Sequence, residues 1–135
     1  MASVFPSPEW VADFCQKLNS DPRYAEVAKK WESDITFVIE PSGPVREPLY
    51  YYFDLFHGGC RRAEILKTMS IKSAYVMSAP YENMAKVLTG EMEPMTALLT
   101  RKLSVIGNMA ELLRSIPIVL DFVRCAREIT TEILT

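Results

Sequence analysis

"LTGEMEPMTALLTRKLSVIGNMAELL", residues 88–113, joins Gly90, Gly107 and Pro94 to closely spaced apolar residues, among them Met92, Met95 and Met109. It contains no histidine and no cysteine, and nothing in it pairs a nucleophile with a base. Gly90 stands where a helical pattern beginning near Pro80 stops. Pro94 opens a second short helix that runs to about Arg101. "KLSVI" reads as a strand, and Gly107-Asn108 as a turn into a last helix. The segment therefore supplies apolar surface on alternating helix and strand, with no chemistry for that surface to serve.

Downstream, residues 109–135 read as helical, interrupted or bent at Pro117, which cannot donate a backbone hydrogen bond. The helix over 118–135 is long, and Val119, Phe122, Val123, Ala126, Ile129 and Ile133 run down one side at helical spacing. Such a stripe must cover either an interior of its own chain or a second copy of it, so a homodimer through this helix is one of the two expectations.

Upstream, Ser7 and Pro8 mark a helix start, followed by Trp10, Val11, Phe14, Cys15 and Leu18 on one face. "NSDP" ends that helix and caps the next, whose stripe is Tyr24, Val27, Ala28 and Trp31. The period then changes to two. "DITFVIE", "LYYYFDLF", "CRRAEIL" and "KSAYVMSA" read as a meander of about four strands, with "HGG" at residues 57–59 a tight turn. The order is α+β, in one domain over residues 1–135.

The 135 residues include 15 Lys and Arg against 17 Asp and Glu, a net charge of −2. No basic field is available, so nucleic acid is not an expected partner, despite the Tyr50–Tyr52 run. The longest apolar run, Ile116 to Leu120, is far short of the ~20 residues that span a bilayer. No secretory signal opens the sequence, and a cytoplasmic protein is the expectation. Cys15, Cys60 and Cys125 are an odd number at wide spacing, so buried free thiols are expected, and no metal or other cofactor. His57 reads as a solvated turn residue. Asp54 and Glu64 flank the hairpin beside Arg61 and Arg62 and read as surface ion pairs rather than a catalytic dyad.

Residues 88–113 as a whole resemble the C-terminal signature of the sterol carrier protein type 2 family, small lipid-transfer domains. The helix ending at Gly90, the loop to Pro94, the step into Lys102-Leu103 and Gly107-Asn108-Met109 carry the resemblance. The upstream order of two helices and a strand meander extends it over residues 10–118. The resemblance implies a five-stranded, mostly antiparallel sheet covered on one face by helices, with an apolar tunnel between the layers. The implied ligand is a fatty acid, acyl-CoA, phospholipid or sterol, with transient membrane contact. Flexible methionines suit a wall that repacks around different chains. By position, the tunnel candidates are Phe37, Tyr51, Phe53 and Val76 from the sheet and Met84, Leu98, Leu99 and Leu103 from the segments around Pro94. Val105, Met109, Leu112, Leu113 and Ile116 complete the set. Where family members often carry Gln-Gly before Lys-Leu, this chain has Thr100-Arg101. The alternative of a different class is a ketosteroid-isomerase-like enzyme, an apolar cone with Asp54 as its buried carboxylate.

Overall fold

Helix formation begins where the sequence signals it: the Trp10 N–H donates to Ser7 Oγ at 3.1 Å, and Pro8 occupies the first helical turn. The computed structural model describes residues 3–135. In chain order the first elements are β1 (Ser3–Phe5), α1 (Pro8–Ser20), α2 (Pro22–Val27), β2 (Ile35–Glu40), β3 (Leu49–Phe56), β4 (Gly59–Leu66) and β5 (Tyr75–Pro80). There follow α3 (Tyr81–Thr89), α4 (Pro94–Leu99), β6 (Ser104–Ile106), α5 (Met109–Arg114), α6 (Ile116–Ile129) and β7 (Thr130–Ile133). Asp21 both ends α1 and caps α2, its carboxylate accepting from the Tyr24 N–H at 2.9 Å.

The five-stranded sheet has the order β4-β3-β2-β5-β6. Its β4–β3, β3–β2 and β5–β6 pairings are antiparallel, as the sequence led us to expect, but β5 lies parallel to β2. A plain meander would have placed β5 beside β4. Instead β4 keeps a free edge carrying the exposed Arg61, Arg62 and Glu64, charges that discourage further strand pairing. The β3–β4 hairpin turns on His57 (φ 48°) and Gly58 (φ 80°), two left-handed residues as a two-residue hairpin turn requires. Gly58 has a second reason to lack a side chain, since a Cβ there would lie 2.4 Å from the Ala25 carbonyl oxygen.

Two features depart from the sequence reading at the C-terminal end. The break falls at Ser115, and Pro117 sits in the first turn of α6, starting a new helix rather than bending an old one. Helix α6 then stops at Ile129 instead of continuing to Thr135. Thr130, Thr131 and Ile133 are β-branched and stiff in a helix, and they extend as β7 to pair in parallel with β1.

Arg101 occupies a left-handed conformation, φ 61°, just after α4. The Lys102 and Leu103 N–H groups both return to the Ala97 carbonyl, at 2.8 and 3.1 Å, the hydrogen bonding of a helix C-terminus that favours glycine. This is the second residue of the Thr100-Arg101 pair noted above. Exchanging the left-handed penalty for the greater unfolded-state freedom of glycine, Arg101→Gly should raise stability by about 0.5–1 kcal/mol in urea denaturation.

Candidate functional site

Between the sheet and the helices the packing leaves a partly enclosed cavity of about 130 Å³. Period-two alternation supplies its floor: Ile35, Phe37 and Ile39 of β2, Tyr51 and Leu55 of β3, and Met77 of β5. Trp10 and Phe14 of α1 close one side. Met84, Val87 and Leu88 of α3, with Leu98 of α4, close another. Helix α6 forms the roof with Ile118, Val119, Phe122, Val123 and Ala126, so the stripe of the last helix faces the interior of its own chain. Phe122 is the hub of an aromatic cluster, its ring 4.7 Å from Phe14 and 5.8 Å from Phe37.

Among the described residues, the lining includes no Asp, Glu, His, Lys or Arg. Its donors at Trp10, Trp31 and Tyr75 already have partners in the protein. The indole N–H of Trp10 donates to Thr130 Oγ1 and that of Trp31 to the Ser33 carbonyl, both at 2.8 Å. The Tyr75 hydroxyl donates to Glu111 Oε1 at 2.6 Å. An apolar void of this size, on the order of the ~150 Å³ engineered cavity that stays dry and takes up benzene, has little to offer water.

The structure divides the residues singled out from the sequence. Phe37, Tyr51, Met84, Leu98, Leu103 and Leu112 line the cavity. Phe53 is fully buried beneath it, its ring 5.2 Å from Phe14 and 5.8 Å from Phe37, and belongs to the solid core. Val76 pairs across the sheet with Thr36 and Ile106, on the face turned away from the helices. Leu99 is 78% exposed, and Met109 and Leu113 are exposed too, because each takes the outward position of a short helix whose inner positions are Leu98 and Leu112. Val105 and Ile116 are half-buried outside the lining. Trp10, Phe14 and the α6 residues were visible as apolar stripes, but sequence spacing did not say that they line one cavity with Phe37.

The carboxylates near the hairpin lie elsewhere. Asp54 pairs with Arg61 at 3.2 Å and Glu64 with Arg62 at 2.8 Å. The register sets Asp54 opposite Arg62 and Glu64 opposite Tyr52, so the two acids do not face each other. His57 projects from the turn to Glu32, Nε2 to Oε2 2.6 Å. A different charged group is buried. Arg124 binds Asp21 at 2.7 Å (Nη2–Oδ1) and Asp121 at 2.7 Å (Nε–Oδ1), and reaches Glu128 at 2.7 Å. The guanidinium holds the Asp21 carboxyl well below the usual carboxylate range, helped by the Tyr24 N–H and Lys17. Cys125 lies beside these acids with its thiol pushed up to about 12, chiefly by burial. Arg124 already occupies the carboxylates of Asp21 and Asp121, so these three residues form a salt-bridge centre tying α1 and α2 to α6.

A mixed sheet roofed by helices around an internal apolar cavity places the chain among small α+β folds with a hollow interior. It belongs to the SCP-2 sterol transfer family, whose model matches residues 12–119. Among solved structures it is similar to a crystal structure of sterol carrier protein 2, at 27% identity and TM-score 0.84, covering 91% of this chain and 97% of that one. A conserved hypothetical protein of Thermus thermophilus is similar at 27% identity and TM-score 0.82, covering 92% of this chain and 88% of that one. The fold also recurs in a sec-alkyl sulfatase double mutant, at 12% identity and TM-score 0.59, over 83% of this chain but 16% of the sulfatase. Among curated proteins no sequence match is found. Among the described residues, no helix is long and apolar enough to cross a membrane.

Proposed function

We propose that the protein binds the hydrocarbon chain of a lipid in this cavity and carries it between membranes without chemical change. The observation that carries the reading is a lining of aliphatic and aromatic side chains with no carboxylate, imidazole, amine or guanidinium among the described residues. Such a surface can shelter methylenes and has no acid or base to act on a substrate. Asp54, the carboxylate an isomerase would need, lies outside the lining. A fatty acid, acyl-CoA or phospholipid longer than the present void enters as the α3, α4 and α6 walls move outward. The methionines Met84 and Met95 among the lining residues ease that repacking.

Each buried methylene contributes about 0.8 kcal/mol, so ten give about 8 kcal/mol before the costs of binding. A fluorescent fatty acid should therefore bind with one-to-one stoichiometry at low-micromolar Kd or tighter. Leu98→Trp, which fills the cavity from α4, should weaken that binding at least about tenfold, the equivalent of roughly two excluded methylenes. Leu99→Trp, one residue along but on the exposed side, should leave it unchanged. The reading is wrong if fatty acids, acyl-CoA and phospholipids all fail to saturate the protein.

A further inference from the structure

We propose that Cys15 and Cys60 form a peroxide-sensitive dithiol that oxidises to an intramolecular disulfide, with Cys15 attacking first and Cys60 resolving. The two residues are separated by 45 positions in sequence, yet their sulfurs lie 3.0 Å apart between α1 and β4. A β-bulge makes the meeting. The register shifts between Asp54 and Leu55, so Arg61 is the extra residue and Cys60 comes opposite Leu55 on the core face. Asn19 holds that strand end against α1. Its Oδ1 accepts from the Cys60 N–H at 2.7 Å and its Nδ2 donates to the Cys60 carbonyl at 2.8 Å.

The two thiols are unequal in ways that assign their roles. Cys15 is half-buried and reachable from solvent, whereas Cys60 is 4% exposed. The sulfur–sulfur contact lowers the Cys15 thiol from its ordinary value, while the same contact and burial push Cys60 up. Cys15 thiolate attacks one oxygen of hydrogen peroxide, the O–O bond breaks, and Cys15 sulfenic acid and hydroxide result. That hydroxide takes the Cys60 proton as water. The Cys60 sulfur then attacks the Cys15 sulfur, breaking its S–O bond, and the departing hydroxide is protonated to a second water. Two thiols and one peroxide give one disulfide and two waters, and a small dithiol reverses the change by exchange. Cys125, fully buried with its thiol raised to about 12, is the internal control.

The chemistry is independent of what the cavity holds, and its test does not use a lipid. The full-length protein is treated with one equivalent of hydrogen peroxide near pH 7, alkylated without reduction, digested and analysed by mass spectrometry. The expected product is a Cys15–Cys60 cross-linked peptide that dithiothreitol abolishes, with Cys125 still alkylated after unfolding. In Cys60→Ser, dimedone should trap Cys15 sulfenic acid. In Cys15→Ser, oxidation of Cys60 should be at least about tenfold slower. The proposal is overturned if the wild-type protein keeps both thiols free, or if Cys60 in Cys15→Ser reacts as fast as Cys15 in Cys60→Ser. The wild-type measurement decides even if a serine variant fails to fold.

Discussion

Trp10→Ala is expected to lower the free energy of unfolding by about 3–5 kcal/mol, the range for emptying a large buried aromatic site. Trp10 is 5% exposed and sits between three rings, those of Phe5 at 4.8 Å, Phe14 at 5.1 Å and Tyr51 at 6.1 Å. Its N–H also holds Thr130, the residue at which α6 gives way to β7. Truncation therefore removes contacts from α1, the sheet and the C-terminal strand together, and leaves the Thr130 hydroxyl without that donor. Urea denaturation checks it. Unchanged stability with weakened vesicle binding would instead assign Trp10 to membrane contact.

A loss of about 3 kcal/mol or more is expected for Arg124→Met. Asp21 and Asp121 are 8% and 4% exposed, and a buried carboxylate deprived of its partner keeps its desolvation cost without the compensating attraction. Lys17 on Asp21 and Arg23 on Asp121, at 3.1 and 3.2 Å, remain and soften the effect. The pH dependence identifies the cause. The folded-state pKa of Asp21 lies below its unfolded value, so its stabilisation is fully present above about pH 4 and fades as pH falls through the folded pKa. Wild type should thus lose stability in acid below about pH 4, and the gap between wild type and Arg124→Met should narrow there. A gap undiminished between pH 7 and pH 2 would show that lost packing, not charge, is responsible. Adding Asp21→Asn and Asp121→Asn to Arg124→Met should recover part of the loss at neutral pH.

Local signals were legible and long-range meetings were not. Ser7-Pro8, Asp21-Pro22, Gly90 and the His57-Gly58 turn each act within a few residues, and each is where its element starts or stops. Alternation correctly set Phe37 and Tyr51 toward the helices. It misplaced Val76, whose parity depends on where β5 pairs, and β5 lies parallel to β2 rather than continuing the meander. The helical spacing of Ile129 and Ile133 concealed β7, since four residues apart also suits a helix. Nothing local could show that Asp21 meets Arg124 across 103 residues, or that one extra residue at Arg61 turns Cys60 inward. Leu98 and Leu99 show the same limit at the cavity: adjacent, chemically identical, and separated only by which face of a two-turn helix each takes.

The parallel pairing of β1 with β7 joins Ser3 to Thr130 and Phe5 to Ile133. Bringing such distant segments together closes a loop of nearly the whole chain, so its entropic cost falls due only after the intervening elements have folded and shortened the gap. Phe5 and Trp10 acquire their settled places with that ribbon, which makes completion of one cavity wall a late event in folding. The ribbon should also be first to open in the native state, with its amides exchanging with deuterium ahead of those of β2 and β3. Anything held inside would then have a second way out besides the helix walls, through the fraying of a short strand pair, with the sheet beneath undisturbed.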